Sequence, residues 1–268
     1  MNKPSNRLFD VHAHLGDYWD DVELGDRGQV AALRAAQKTG RIAISIVSAC
    51  ESLLSATRLP GDTEKTMRQR LLAGNEKLLR MCIQEPSLYM LAVLDPQRPD
   101  SFEQCRKLLN HPRVLGVKLH PTRHYYRIAD HIQGICDFLK AAPKRVLLMH
   151  GINDGWSDPE PVIHIASQYP EISFILAHLG RTNPSMLTVD LIRQYHAPNV
   201  YVDTSAMRDS GVLQKAVSIM GSDKILFGTD FPFYLPKDIL PLILNSGIRP
   251  DQQTQILAAN AQQLFNLK

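Results

Sequence analysis

Val114-Leu115-Gly116-Val117-Lys118-Leu119-His120-Pro121, Val146-Leu147-Leu148-Met149-His150-Gly151 and Ile172-Ser173-Phe174-Ile175-Leu176-Ala177-His178-Leu179-Gly180 follow one another in mid-chain and share one design. Each is an apolar run that ends on a histidine and is closed by proline or glycine within two residues. Runs apolar at nearly every position suit parallel strands buried on both faces, whereas half-exposed antiparallel strands alternate. The intervening segments Ile132–Lys140 and Pro161–Gln168 carry helix formers at helical spacing, so the middle of the chain reads strand, helix, strand, helix, strand.

The alternation extends both ways from there. Leu8–Val11, Ile42–Val47 and Tyr89–Leu94 precede the quoted strands, and Val200–Asp203 and Ile225–Gly228 follow, making eight strands. Helices are expected at Val30–Lys38, Glu64–Ile83, Phe102–Asn110, Leu187–Tyr195, Val212–Met220 and Ile239–Leu244, with a closing helix over Asp251–Phe265. Strand starts fall 25–34 residues apart, save for one longer interval where Arg58-Leu59-Pro60-Gly61-Asp62 reads as an irregular loop. This spacing leaves no room for a second domain, and the glycine-rich turn of a doubly wound dinucleotide fold is missing. The fold class expected is α/β, a single (β/α)8 TIM barrel over residues 1–268.

Composition excludes several classes. With 44% hydrophobic and 21% charged residues the chain is neither collagen-like nor disordered. An uncharged apolar run such as Ile42–Cys50 spans nine residues, whereas a membrane-crossing helix takes about 20. No apolar signal core precedes Leu8, and Cys50, Cys82, Cys105 and Cys136 form no C-x-x-C pair, so a cytoplasmic setting with reduced thiols is expected. The balance of 30 basic against 27 acidic residues, without a basic run, argues against nucleic acid or a membrane surface as partner. A small-molecule substrate is expected, with a homodimer allowed.

The ten histidines are the unusual feature. Side chains alternate along a strand, so His12 and His14 of Asp10-Val11-His12-Ala13-His14 point to the same side and can chelate one ion. By itself H-x-H is a weak signal. It gains weight because His150, His178 and Asp230 also stand at strand ends, on the face that carries the active site of such barrels. His111, His131, His164 and His196 lie in or beside helices and are given no function.

These motifs, together with Leu226-Phe227-Gly228-Thr229-Asp230 and Asn260-Ala261-Gln262-Gln263-Leu264-Phe265, resemble the amidohydrolase superfamily. More narrowly they resemble the amidohydrolase-related branch that contains aminocarboxymuconate semialdehyde decarboxylase, benzoate-type decarboxylases and lactone hydrolases. The match runs in order from residue 8 to residue 266. The resemblance implies one divalent metal ion, zinc or manganese, held by His12, His14, His150 and Asp230, with His178 as the acid/base beside it. Such a set lowers the pKa of a bound water, and an unligated histidine can shuttle its proton. The expected activity is therefore hydrolysis of a small ester, lactone or amide bearing a carboxylate, with decarboxylation of an aromatic or muconate-like acid as the alternative. A barrel deoxyribonuclease is disfavoured, since no glutamate stands in the fourth strand. A non-catalytic metal barrel is disfavoured by the spare His178.

Further residues are expected around this centre. His120 and Arg123 follow strand four, Arg181 stands where relatives often have glycine, and either arginine offers bidentate donors to a carboxylate. Trp19 and Trp156 follow strands one and five, and Cys50 and Ser205 end strands two and seven. Trp156 and Ser205 are taken as substrate contacts. Lys118 faces the lumen, either as a bridging carbamate in a two-metal site or, more simply, as a cation neutralised by Asp10.

Overall fold

The computed structural model describes residues 7–16, 29–57, 61–179 and 185–267. Trp19 and Arg181 lie outside them, as does the 58–60 part of the expected irregular loop. Eight parallel strands follow one another in sheet order: β1 Leu8–Leu15, β2 Ile42–Ala49, β3 Leu88–Val93, β4 Val114–Leu119, β5 Val146–Met149, β6 Ser173–Leu176, β7 Val200–Asp203 and β8 Ile225–Leu226. The sheet curls until β1 meets the chain after β8. Val11 N–H donates to the Phe227 carbonyl at 2.9 Å, Asp230 N–H to the His12 carbonyl at 2.8 Å and His14 N–H to the Phe231 carbonyl at 2.7 Å. This is the (β/α)8 barrel that the alternating runs imply.

The helices between strands are α1 Val30–Gly40, α2 Cys50–Leu53, α3 Glu64–Gln84, α4 Pro99–Leu108, α5 Pro121–His124, α6 Ile128–Lys140, α7 Pro159–Ala166, α8 Ser185–Gln194, α9 Ser210–Met220 and α10 Pro236–Leu244. Four of them, α4, α5, α7 and α10, begin on proline, whose fixed φ suits the first helical position. In α4, α7 and α10 the start therefore comes two or three residues before the apolar period becomes readable. Thr63 caps α3 reciprocally with Thr66. The closing helix runs as expected but widens midway: α11 Pro250–Thr254 and α12 Asn260–Phe265 flank a π turn at Gln255–Ala259. Among the described residues no helix is long and apolar enough to cross a membrane.

Two apolar layers result. One fills the space between strands and helices, with Val47, Met90, Val117, Leu147, Phe174 and Val202 facing outward. The other plugs the lumen with Phe9, Val11, Ile46, Leu148, Ile175 and Leu226, closed from below by Ala258, Ala261 and Phe265 of the C-terminal helices. Along β1, Phe9 and Val11 belong to the lumenal layer but Ala13 and Leu15 to the outer one. The register with β2 shifts between Asp10 and Ala13, and that irregularity lets His12 and His14 face the site above the plug.

Gly116 marks the tightest strand contact. A Cβ there would lie 2.3 Å from the Val146 carbonyl oxygen of β5, which is backbone and cannot rotate away. Gly116→Ala is expected to destabilise the fold by about 1–3 kcal/mol, read as a lower urea midpoint at unchanged m value. An unchanged midpoint would contradict this packing.

Candidate functional site

The polar residues of the strand ends meet above the lumenal plug. His12 Nδ1 lies 2.9 Å from Asp203 Oδ2, so the ring gives its Nδ1 proton to the carboxylate and presents a lone pair at Nε2. That Nε2 lies 3.5 Å from Asp230 Oδ1, and His14 Nε2 lies 3.1 Å from the same oxygen. His14 is steadied from behind by Ser48 Oγ at 3.3 Å from its Nδ1. Burial holds His14 down to about pKa 4, in the neutral form that can act as a ligand.

His178 follows β6 with φ at 72°, a left-handed conformation that is uncommon for a residue with a side chain. Its backbone N–H donates to Asp203 Oδ1 at 3.1 Å, which ties this strained turn to β7. The Ser205 hydroxyl also donates to Asp203 Oδ1, so its oxygen is left to accept from His178 Nδ1 at 2.9 Å. His178 Nε2 then faces the site, 2.8 Å from His150 Nδ1. His150 in turn stacks on His120, with ring centroids 4.0 Å apart and 17° between planes. Burial, reinforced by His150, keeps His120 neutral, well below the ordinary histidine range.

Among the described residues, His12, His178 and Asp230 have donor atoms that all lie within 4.8 Å of one another. His14 joins this group through Asp230, and His150 through His178. Unprotonated nitrogens and a carboxylate oxygen converging on one buried point fit a divalent ion of the zinc or manganese kind. Asp230 itself sits at φ 68°, and Gly228 leaves room for His12, whose Cβ would be 2.9 Å from a Cβ at that position.

Two buried acids and a buried lysine surround the cluster in different states. Asp10 accepts from the His12 and Thr229 backbone N–H groups and from Thr229 Oγ1 at 2.7 Å, yet burial pushes its pKa up to about 7. Burial opposes ionisation of Asp203 as well, but the adjacent His12, its hydrogen bond, the Ser205 hydroxyl and the His178 N–H outweigh it and hold the carboxyl below its usual range. Lys118 does not pair with Asp10, contrary to the sequence expectation. Its Nζ donates to His12 Nε2 at 2.9 Å, and burial lowers its pKa to about 8 against the pull of Asp203 and Asp230.

A cavity of about 570 Å³ opens on this cluster, walled by His14, Lys118, His120, Arg123, Tyr125 and Phe233 among others. Of the residues expected to contact substrate, His120 and Arg123 line it. Ser205 is fully buried behind His178, and Trp156 is not among the wall residues, its backbone being held by Asp154 and Ile128. Arg123-His124-Tyr125-Tyr126 splits: Arg123 and Tyr125 face the cavity, while His124 and Tyr126 are buried. Asp203, Leu53, Leu54 and Tyr234 were not foreseen. For Asp203 the signal was present, an acid two residues before Ser205 on the same strand face. A second cavity of equal volume lies between Glu64, Arg68, Asp95 and Arg98, but its charges pair with one another, Arg98 with Asp95 at 3.0 Å and Arg68 with Asp100.

Comparison with known proteins gives the family and the fold. A family model described as amidohydrolase matches residues 9–267. A gamma-resorcylate decarboxylase of Polaromonas sp. is 31% identical over 117 residues, which span 37% of this chain and 36% of that protein, about a third of the curated relative. Among solved structures, 5-carboxyvanillate decarboxylase from Sphingomonas paucimobilis is 14% identical, with a TM-score of 0.76 over 98% of this chain and 100% of that one. A dihydroxybenzoic acid decarboxylase from Polaromonas sp., with bound manganese and the inhibitor 2-nitroresorcinol, is 16% identical, with a TM-score of 0.70 over 98% of each chain. At these identities the solved structures bear on the fold.

Because Asp203 orients a candidate ligand through its remote nitrogen, Asp203→Asn is expected to weaken divalent-metal affinity by about 10- to 100-fold while leaving the far-ultraviolet spectrum unchanged. Calorimetric titration of the metal-free protein reads this directly; unaltered affinity would detach Asp203 from the centre.

Proposed function

The chain belongs to the amidohydrolase family, and from that membership we propose that it is a metal-dependent enzyme acting on a small carboxylate-bearing molecule. The observation that carries this reading is that ligand atoms of His12, His178 and Asp230 lie within 4.8 Å of one another, with His14 Nε2 3.1 Å from Asp230 Oδ1, and that all four residues line one cavity. We assign His12, His14, His150 and Asp230 to a single divalent ion, zinc or manganese, and His178 to proton transfer. Bound there, the ion supplies Lewis acidity toward a substrate oxygen.

The chain's own groups do the rest. Arg123 and His120 hold the substrate at the wall, and Phe233 and Tyr125 shield it from water. His178, fixed with Nδ1 toward Ser205, offers Nε2 to the reacting atom. Decarboxylation comes first, because the relatives named above are decarboxylases. In it the bond to the carboxylate carbon breaks, its electron pair stays on the ring carbon, and that carbon takes a proton by way of His178 as carbon dioxide leaves. Hydrolysis is the second reading, favoured by the family description. There His178 takes a proton from the attacking water and returns it to the leaving oxygen or nitrogen. We place the enzyme in the cytoplasm as a single domain, on its four buried free thiols and its single eight-stranded barrel.

Metal-loaded protein offered a panel of hydroxybenzoates and of lactones should release carbon dioxide from the first or open the second. Turnover of neither class would refute the proposal. His178→Asn should lower kcat by about 10²–10⁴-fold with metal content intact, whereas Asp230→Asn should lose metal. Purification of His178→Asn without metal would move His178 into the ligand set.

A further inference from the structure

Lys118 is a lysine buried to 1% exposure on β4, and among the described residues its ammonium hydrogen-bonds to His12, which the metal reading claims. His12 gives its Nδ1 proton to Asp203, so the Nε2 that accepts from Lys118 at 2.9 Å is the ring's lone pair. An ammonium has donors alone and this nitrogen has one lone pair, so the ion and Lys118 cannot both use it. Loading of the ion displaces the lysine's hydrogen bond and leaves a buried cation in need of an acceptor.

Of the carboxylates near Lys118, those of Asp203 and Asp10 are engaged. Asp203 Oδ2 accepts from His12, and its Oδ1 accepts from the Ser205 hydroxyl and from the Ser205 and His178 backbone N–H groups. Both oxygens of Asp10 are held by Thr229 or by the His12 N–H. Asp230 Oδ1 faces His12 and His14, where the ion would sit. Lys118 also lines the cavity, together with Arg123 and His120, so an anion that enters there can accept from it. We infer that Lys118 binds the substrate's carboxylate directly beside the metal position, making it a residue that selects anionic over neutral substrates. The inference rests on the metal reading above and deepens it by fixing which end of the substrate points inward.

The test uses metal-loaded wild-type protein with Lys118→Met and, should that variant fold poorly, Lys118→Gln, which keeps a polar head but no charge. Benzoate and its neutral counterpart benzamide serve as probes, sized for a cavity rimmed by Phe233 and Tyr125. Metal content is read by elemental analysis and probe binding by calorimetry. The expected result is retained metal, a loss of benzoate affinity of about 10- to 150-fold, the range for hydrogen bonds to charged groups, and unchanged benzamide binding. Benzoate affinity equal to wild type in a metal-loaded variant would overturn the inference and leave the metal reading standing. So would loaded wild-type protein that ignores benzoate, or one whose native mass shows an added carbon dioxide on Lys118 with two ions per chain. Wild-type protein that takes up no metal would overturn both.

Discussion

The barrel seam is the constraint on which the rest depends. A parallel sheet of eight strands has two open edges until β1 meets the chain after β8, and here β8 is two residues long. Closure falls to hydrogen bonds around His12, His14, Phe227, Asp230 and Phe231 rather than to a regular ladder. Each such backbone group left unpaired in this buried setting would cost about 1–3 kcal/mol. The closure that satisfies them also sets Asp230 against His12 and His14, from opposite ends of the chain. The left-handed φ of Asp230 and the missing side chain of Gly228 are local consequences of that approach.

Asp203 does for orientation what the seam does for position. One carboxylate at the end of β7 fixes His12 through its remote nitrogen, holds the strained backbone of His178 and orients the His178 ring by way of Ser205. Burial would ordinarily protonate it, and the donors around it prevent that. Asp10 is equally buried but collects fewer charged neighbours, and its pKa rises to about 7. Two acids at the same depth thus differ in charge because of what donates to them.

The barrel was legible because parallel strands covered on both faces are written as uninterrupted apolar runs. Val114–Leu119, Val146–Met149 and Val200–Asp203 end where their runs do. β1 runs four residues beyond its apolar pattern because His12 and His14 look into the site. β8 stops short of Gly228, since the chain there turns to meet β1. The strand-end histidines and Asp230 were readable from position alone. Asp203 also stands at a strand end, but its role and the true partner of Lys118 were not readable, because both act through His12, whose nearness is a property of the closed barrel and not of any local segment. Trp156 read as a pocket aromatic on loop position and is not among the residues that line the cavity.

The central claim is that the seam assembles one divalent-metal centre per chain. Titrating metal-free protein with manganese and following the free ion by electron paramagnetic resonance measures it most directly. The account predicts uptake of one ion per chain in the wild type and none at comparable affinity in His12→Ala. Uptake of two tightly held ions, or uptake indifferent to His12, would contradict it.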